Sequence, residues 1–188
     1  MYNIIALIGE AGAGKDTLMG EVLVQAPYLH EIISCTTRPS RQGEVHGVNY
    51  YYYTPDEFSA KVLNGEMIEY TNFNGWFYGT GLTSLNESKI NIGVFNPEGI
   101  RSLIAHPNCN VLVFWVRTAD KIRLMRQLNR EDNPDVQEII RRFSTDTNDF
   151  RRINFNCIQI QNNTIYDFEI AVKEILRQVE TQFASGQN

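Results

Sequence analysis

Residues 4–8 (IIALI) form a short apolar run that stops at a glycine, and GEAGAGKDT follows at 9–17. An unbroken apolar run bounded by glycine predicts a strand covered on both faces. The spacing of Leu18, Val22 and Leu23, ending near Pro27, predicts a helix directly after the glycines. A strand, a glycine loop and a helix in that order direct successive backbone N–H groups and a helix N-terminus into one hollow, a cradle for phosphate. The spacing G-x-x-x-x-G-K fits that use, with Lys15 adding a full positive charge at the β and γ phosphates of a nucleotide. The next residue is anomalous, because Asp16 stands where a hydroxyl normally holds Mg²⁺. A carboxylate there suits the helix dipole but repels phosphate at close range. Asp16 is therefore expected to turn away from the phosphates and, with Thr17, to act on Mg²⁺ through metal-bound water.

Further apolar runs at 32–33, 92–95, 111–116 and 157–160, most of them followed by helical stretches, extend the pattern to five strands. Strands alternating with helices imply a parallel, three-layer α/β sandwich of the P-loop NTPase type. Residues 36–80 break the rhythm with Tyr, Gly, Asn and charged residues, a helix expected at 55–63 and strand-like alternation at 50–53 and 67–73. They are expected to form an inserted lobe. In its run of four tyrosines, a period of two puts Tyr50 and Tyr52 on one face and Tyr51 and Tyr53 on the other. A second interruption, NREDNPD at 129–135, lies between two arginine-bearing helices and is expected to be a mobile lid loop. Residues 184–188 are expected to be a loose tail.

The 188 residues suffice for one domain, and 43% hydrophobic and 21% charged residues leave no segment biased toward disorder. A net charge of −5 argues against nucleic acid as a partner, since phosphate-backbone affinity needs clustered Lys and Arg. Nine of the 17 basic residues nevertheless fall between Arg117 and Arg152, and eight of those nine are arginine, which suits bidentate contacts to phosphate. The early apolar run is too short to span a bilayer and no basic segment follows Met1, so no membrane association and a cytoplasmic address are expected. Cys35, Cys109 and Cys157 read as reduced thiols, and His30, His46 and His106 carry no metal-ligand spacing.

A held nucleotide needs an acceptor. Arg38 and Arg41, with Tyr50 beyond a glycine-marked turn, are suitable parts for binding a dianionic phosphate. Two phosphate sites bridged by lid arginines would supply the alignment and charge neutralisation that phosphoryl transfer requires.

Over residues 4–175 the chain resembles the guanylate kinases, which move a phosphate from ATP to GMP or dGMP. The resemblance rests on GEAGAGKDT at 9–17, SCTTR at 34–38, RQGEVHGVNY at 41–50, GEMIEY at 65–70 and NGWFYGT at 74–80. It implies that Gly9, Glu10, Ala11, Gly12, Ala13, Gly14, Lys15, Asp16 and Thr17 bind ATP with Mg²⁺, joined by Arg126, Gln161 and Asn162. It implies that Arg38, Arg41, Tyr50 and Tyr78 bind the GMP phosphate, that Ser34, Glu69 and Thr80 read guanine, and that Asn96 lies beside them. Lys15, Arg38, Arg130 and Arg142 would be catalytic, with Arg123 or Arg141 able to exchange with a lid arginine. One domain over 1–188 would then divide into a core (1–35, 81–125, 150–184), a GMP lobe (36–80) and a lid (126–149). Asp16, and Asn96 where guanylate kinases carry an acidic residue, depart from the family pattern and resemble the ribose 1,5-bisphosphate kinases, which lack the full 41–50 block and Glu69; a kinase for that sugar or for another nucleoside monophosphate is the alternative. A third possibility is a non-catalytic scaffold module, but such modules resemble guanylate kinases with eroded phosphate loops, and here Lys15 stands.

Overall fold

In the computed structural model, residues 1–41, 43–73, 75–130 and 132–183 are described. The expected tail at 184–188 and single positions of the lid loop (Glu131) and of two motif blocks (Gln42, Asn74) lie outside them. Strand β1 (Tyr2–Ile8) is buried from Ile4 onward, as its continuous apolar run requires of a strand with neighbours on both edges and both faces. Alternation then divides its side chains. Ile5 and Leu7 face one core with helices α1 (Lys15–Gln25) and α6 (Ile165–Phe183), while Ile4, Ala6 and Ile8 face another with α3 (Pro97–Ala105) and Phe150.

The sheet is five-stranded and wholly parallel. In order it runs β2 (His30–Glu31), β7 (Ile90–Val94), β1, β8 (Cys109–Arg117) and β9 (Ile158–Gln161). With helices on both faces, this is the expected three-layer sandwich. One strand sits earlier than its apolar pair predicts: His30 and Glu31 carry the ladder, and Ile32 adds one further bond to Ile92 before its side chain enters the second core. Burial there marks where the strand ends.

A second, mixed sheet has the order β4 (Tyr51–Tyr52), β3 (Cys35–Thr36), β6 (Trp76–Gly81) and β5 (Met67–Phe73). Helix α2 (Pro55–Leu63) covers it and starts in a complete capping box between Thr54 and Glu57. Its Phe58, 1% exposed, stacks on Phe77 at 5.5 Å. Helices α4 (Asp120–Leu128) and α5 (Val136–Phe150) flank the polar segment after Asn129. Among the described residues no helix is long and apolar enough to cross a membrane.

Phe114, fully buried on β8, packs in the core under β1. Phe114→Ala should lower stability by about 3–5 kcal/mol in denaturant titration with little change in slope.

Candidate active site

The loop after β1 turns at Gly12 and Gly14, whose φ values of +80° and +86° favour glycine. Space decides as much as torsion. A Cβ on Gly12 would lie 2.6 Å from the Arg123 carbonyl oxygen, and one on Gly14 would lie 2.6 Å from Asn162 Nδ2. Asn162 Nδ2 donates to the Ala13 carbonyl at 2.8 Å, joined by the Thr118 hydroxyl at 3.2 Å and Arg126 Nη1 at 3.3 Å. Lys15 folds back onto the Gly9 and Glu10 carbonyls at 2.7 and 3.3 Å, and its burial holds its pKa below the usual lysine value. Glu10 faces the other way and accepts from Trp115 Nε1 at 3.3 Å.

The loop opens on a cleft of ≈ 720 Å³, a volume suited to a nucleotide-sized ligand. Arg38, Arg41, Arg130 and Arg142 line one part of it with Lys15. Burial, followed by the charges of Arg38, Arg142 and Arg130, pushes the Arg41 pKa down, as expected where guanidinium groups converge. Glu44 supplies the local counter-charge. Its carboxylate takes both oxygens' bonds from Arg38 Nη2 at 3.0 Å, the Arg41 amide at 2.8 Å and the Tyr52 hydroxyl at 2.8 Å. Burial opposes its ionisation, yet these donors hold its pKa below the usual carboxylate value. The Arg38 guanidinium lies 5.5 Å from the Tyr50 ring and 5.9 Å from Tyr52, while Tyr51 stacks on Tyr53 across the strand. The two-faced tyrosine run is as its period predicts. Tyr50 meets Tyr78 edge-on at 6.2 Å, and burial pushes the Tyr50 hydroxyl up to about 12.

Deeper in the same cleft lies Glu69, 7% exposed. A bulge between Met67 and Glu69 breaks the alternation, so Ile68 and Glu69 are both buried. Burial pushes the Glu69 carboxyl up to about 7, with the Thr80 hydroxyl, at 2.7 Å from Oε1, pulling the other way. Gly99 leaves it room, since a Cβ there would lie 2.8 Å from Glu69 Oε2. Asn96 caps α3 by accepting from the Gly99 amide at 2.8 Å and donates to the Thr71 hydroxyl at 2.7 Å. Ser34 lines this cleft too, whereas Thr80 is fully buried behind Glu69.

Asp16 is exposed on the first turn of α1 and lines the large cleft. Its charge contributes, after burial, to the raised pKa values of Tyr50 and Glu31. Thr17, one residue on, lines a smaller hollow of ≈ 360 Å³ with Gly14, Arg126, Asn162 and Phe168. Gln161 is not among the residues around that hollow; its side chain accepts from Asn163 Nδ2 at 3.3 Å. The two interchangeable arginines separate as well. Arg123 is 3% exposed and bound to the loop from behind, whereas Arg141 lies at the surface on Glu138. Sequence reasoning assigned no role to Glu44, Thr71 or Asp146, although Glu44 stands three residues after Arg41 and Asp146 four after Arg142, spacings that bring side chains together in a turn or helix.

The sequence matches the family model described as guanylate kinase over residues 1–179. It is 33% identical over 174 residues to the guanylate kinase of Geobacter metallireducens, covering 90% of this chain and 80% of the relative. Against the guanylate kinase of Trichormus variabilis the identity is 30% over 177 residues, covering 92% and 87%. The crystal structure of guanylate kinase from Anaplasma phagocytophilum shares the fold at a TM-score of 0.68 and 18% identity, covering 97% of this chain and 95% of that one. With the phosphate loop, the arginine cluster and the buried Glu69 in one cleft, and with a family match from Met1 to Val179, the chain belongs to the guanylate kinase family.

Proposed function

We propose that this protein transfers the terminal phosphate of ATP to GMP or dGMP. The observation that carries the reading is one cleft lined by Lys15, four arginines and a buried, guanine-matched carboxylate. Ionised Glu69 is an acceptor for both N1–H and the 2-amino group of guanine, a donor pair that adenine lacks. Arg38, Arg41, Tyr50 and Tyr78 receive the GMP phosphate. The ATP phosphates lie in the loop at 9–17, and the adenine lies in the smaller hollow beside Arg126 and Asn162. Arg130 and Arg142 meet the moving phosphate with Lys15 and neutralise its charge. The lobe at 36–80 and the lid at 126–149 close over both substrates and exclude water.

Among the described residues no group of three His, Cys, Asp or Glu could hold a metal alone. That fits Mg²⁺, which is bound through one or two protein oxygens, phosphates and waters. Asp16, at the loop and facing the cleft, is the residue to hold it, with Thr17 nearby. When bound, Mg²⁺ would neutralise charge on the phosphates.

An ADP-release assay with ATP and each of GMP, dGMP, AMP, CMP, UMP, dTMP and ribose 1,5-bisphosphate tests the assignment. GMP should be turned over, and turnover of the sugar bisphosphate without GMP would overturn it. Glu69→Gln should cost GMP turnover far more than stability, and equal GMP rates would remove Glu69 from the site. Because GMP selects the ionised carboxylate, wild-type affinity should fall about tenfold from pH 8 to pH 6 relative to Glu69→Gln. Titration of the GMP phosphate is common to both proteins and cancels in that ratio. Without ligand the sign reverses. A raised pKa contributes stability below the ordinary carboxyl value, and this is lost as pH rises through about 7, so Glu69→Gln should gain on wild type between pH 5 and pH 8 in thermal melts.

A further inference from the structure

Asp146 and Arg123 are 5% and 3% exposed, and charged side chains are almost never buried so deeply unless paired. Asp146 Oδ2 accepts the Ala11 N–H at 2.6 Å and faces Arg123 Nη2 at 3.5 Å. Arg123 Nε donates to the Ala11 carbonyl at 3.1 Å and Nη1 to Asp120 at 2.8 Å, while its guanidinium lies 4.5 Å from the Phe143 ring of α5. Two helices thus hold the two polar groups of one residue in the phosphate loop. Helix α4 already lies close to the loop through the Arg123 backbone at Gly12, and α5 meets Arg123 through Phe143, but it is the Asp146 carboxylate that bonds α5 to the loop directly.

Glu138, Arg142 and Asp146 stand four residues apart along α5 and therefore share a face. Arg142 Nε rests on Glu138 Oε1 at 2.7 Å, a pair internal to the helix, whereas Asp146 reaches out of it to the loop. Arg142, Asp146 and Lys15 line the same cleft. Where Arg142 lies relative to Lys15 depends on how α5 is seated on the loop, and the Asp146–Ala11 bond, short and charge-assisted, sets that seating one turn from Arg142.

We propose that Asp146 is a positioning residue for phosphoryl transfer, its bond to Ala11 fixing the register of α5 on the phosphate loop so that Arg142 reaches the transferred phosphate. The inference rests on the ATP:GMP reading with Arg142 at that phosphate. A displacement of about 1 Å in such a group can cost on the order of a hundredfold in rate.

Steady-state kinetics of the full chain test it through a double-mutant cycle of Asp146→Ala and Arg142→Ala. Asp146→Ala should lower kcat by about tenfold or more with KM for GMP within about twofold, and in the Arg142→Ala background the same change should cost less than about threefold. Asp146→Asn retains an acceptor for the Ala11 amide and should restore most of kcat. The proposal is overturned if Asp146→Ala stays within about threefold of wild type, if the two losses simply multiply, or if Asp146→Asn is as slow as Asp146→Ala. Should Asp146→Ala not fold, Asp146→Glu decides alone, because it keeps the charge but moves the oxygen by one methylene. A folded Asp146→Glu with reduced kcat and intact KM for GMP supports the proposal, and wild-type kcat overturns it. Failure of the wild-type protein to phosphorylate GMP is a separate result, which would remove the underlying reading.

Discussion

A phosphate cradle works only when its amides are fixed in advance, because groups that must reorient on binding lose in reorganisation what they gain in hydrogen bonds. In this protein the fixing comes from behind the loop. Asn162, Thr118 and Arg126 converge on the Ala13 carbonyl, and Arg123 and Asp146 divide the two polar groups of Ala11. These five side chains come from the ends of β8 and β9 and from α4 and α5, so the loop is the place where the parallel sheet and the flanking helices are tied together. Glycine at positions 12 and 14 follows from that closeness as much as from φ, since a methyl group at either would strike its retainers.

A chain with net charge −5 still brings Arg38, Arg41, Arg130 and Arg142 to one cleft, among carboxylates that line it as well. Convergent guanidinium groups repel one another, and two of them have a carboxylate partner, Glu44 for Arg38 and Glu138 for Arg142, while Asp146 pairs with Arg123 behind the loop. Glu138, gripped by Arg141 and Arg142 with burial working against it, titrates only at about 2, so it remains ionised across the working range. Such pairs add little net stability after desolvation. Their effect is to restrict the rotamers of Arg38 and Arg142, which would lower the side-chain entropy cost of the proposed phosphate contacts.

The strand, loop and helix at the start of the chain were legible because continuous burial and glycine spacing are local properties, and helix α2 was legible to its ends because its cap and its first proline are local too. The edge strand was misplaced by two residues because Ile32 and Ile33 are apolar for packing, whereas the ladder needs only the backbone of His30 and Glu31. The resemblance named Arg38, Arg41, Tyr50, Glu69 and Tyr78, and the fold brings all five to one cleft. It was silent on Asp146 and Glu44, and composition would have been silent too. Their significance lies in a backbone amide 135 positions away and in a turn only six residues long, and neither is encoded by a residue type.

Asp16 and Asn96, the two departures from the family pattern, have different physical consequences. Asn96 accepts from Gly99 while donating to Thr71, in a pocket so close that a Cβ on Gly99 would lie 2.8 Å from Glu69 Oε2. A carboxylate there would place a second negative charge near a group that burial has pushed up to about 7, and would raise it further. The amide keeps the capping oxygen without that penalty, which favours the ionised Glu69 that the proposed guanine contact requires. Asp16 has no such internal partner to satisfy. It is exposed and lines the cleft, where its charge would disfavour bare phosphate and favour phosphate accompanied by a divalent cation. A hydroxyl at this position would meet a metal as a neutral ligand, whereas under the proposed function the carboxylate would set the charge balance with Lys15 in favour of a metal-bound nucleotide.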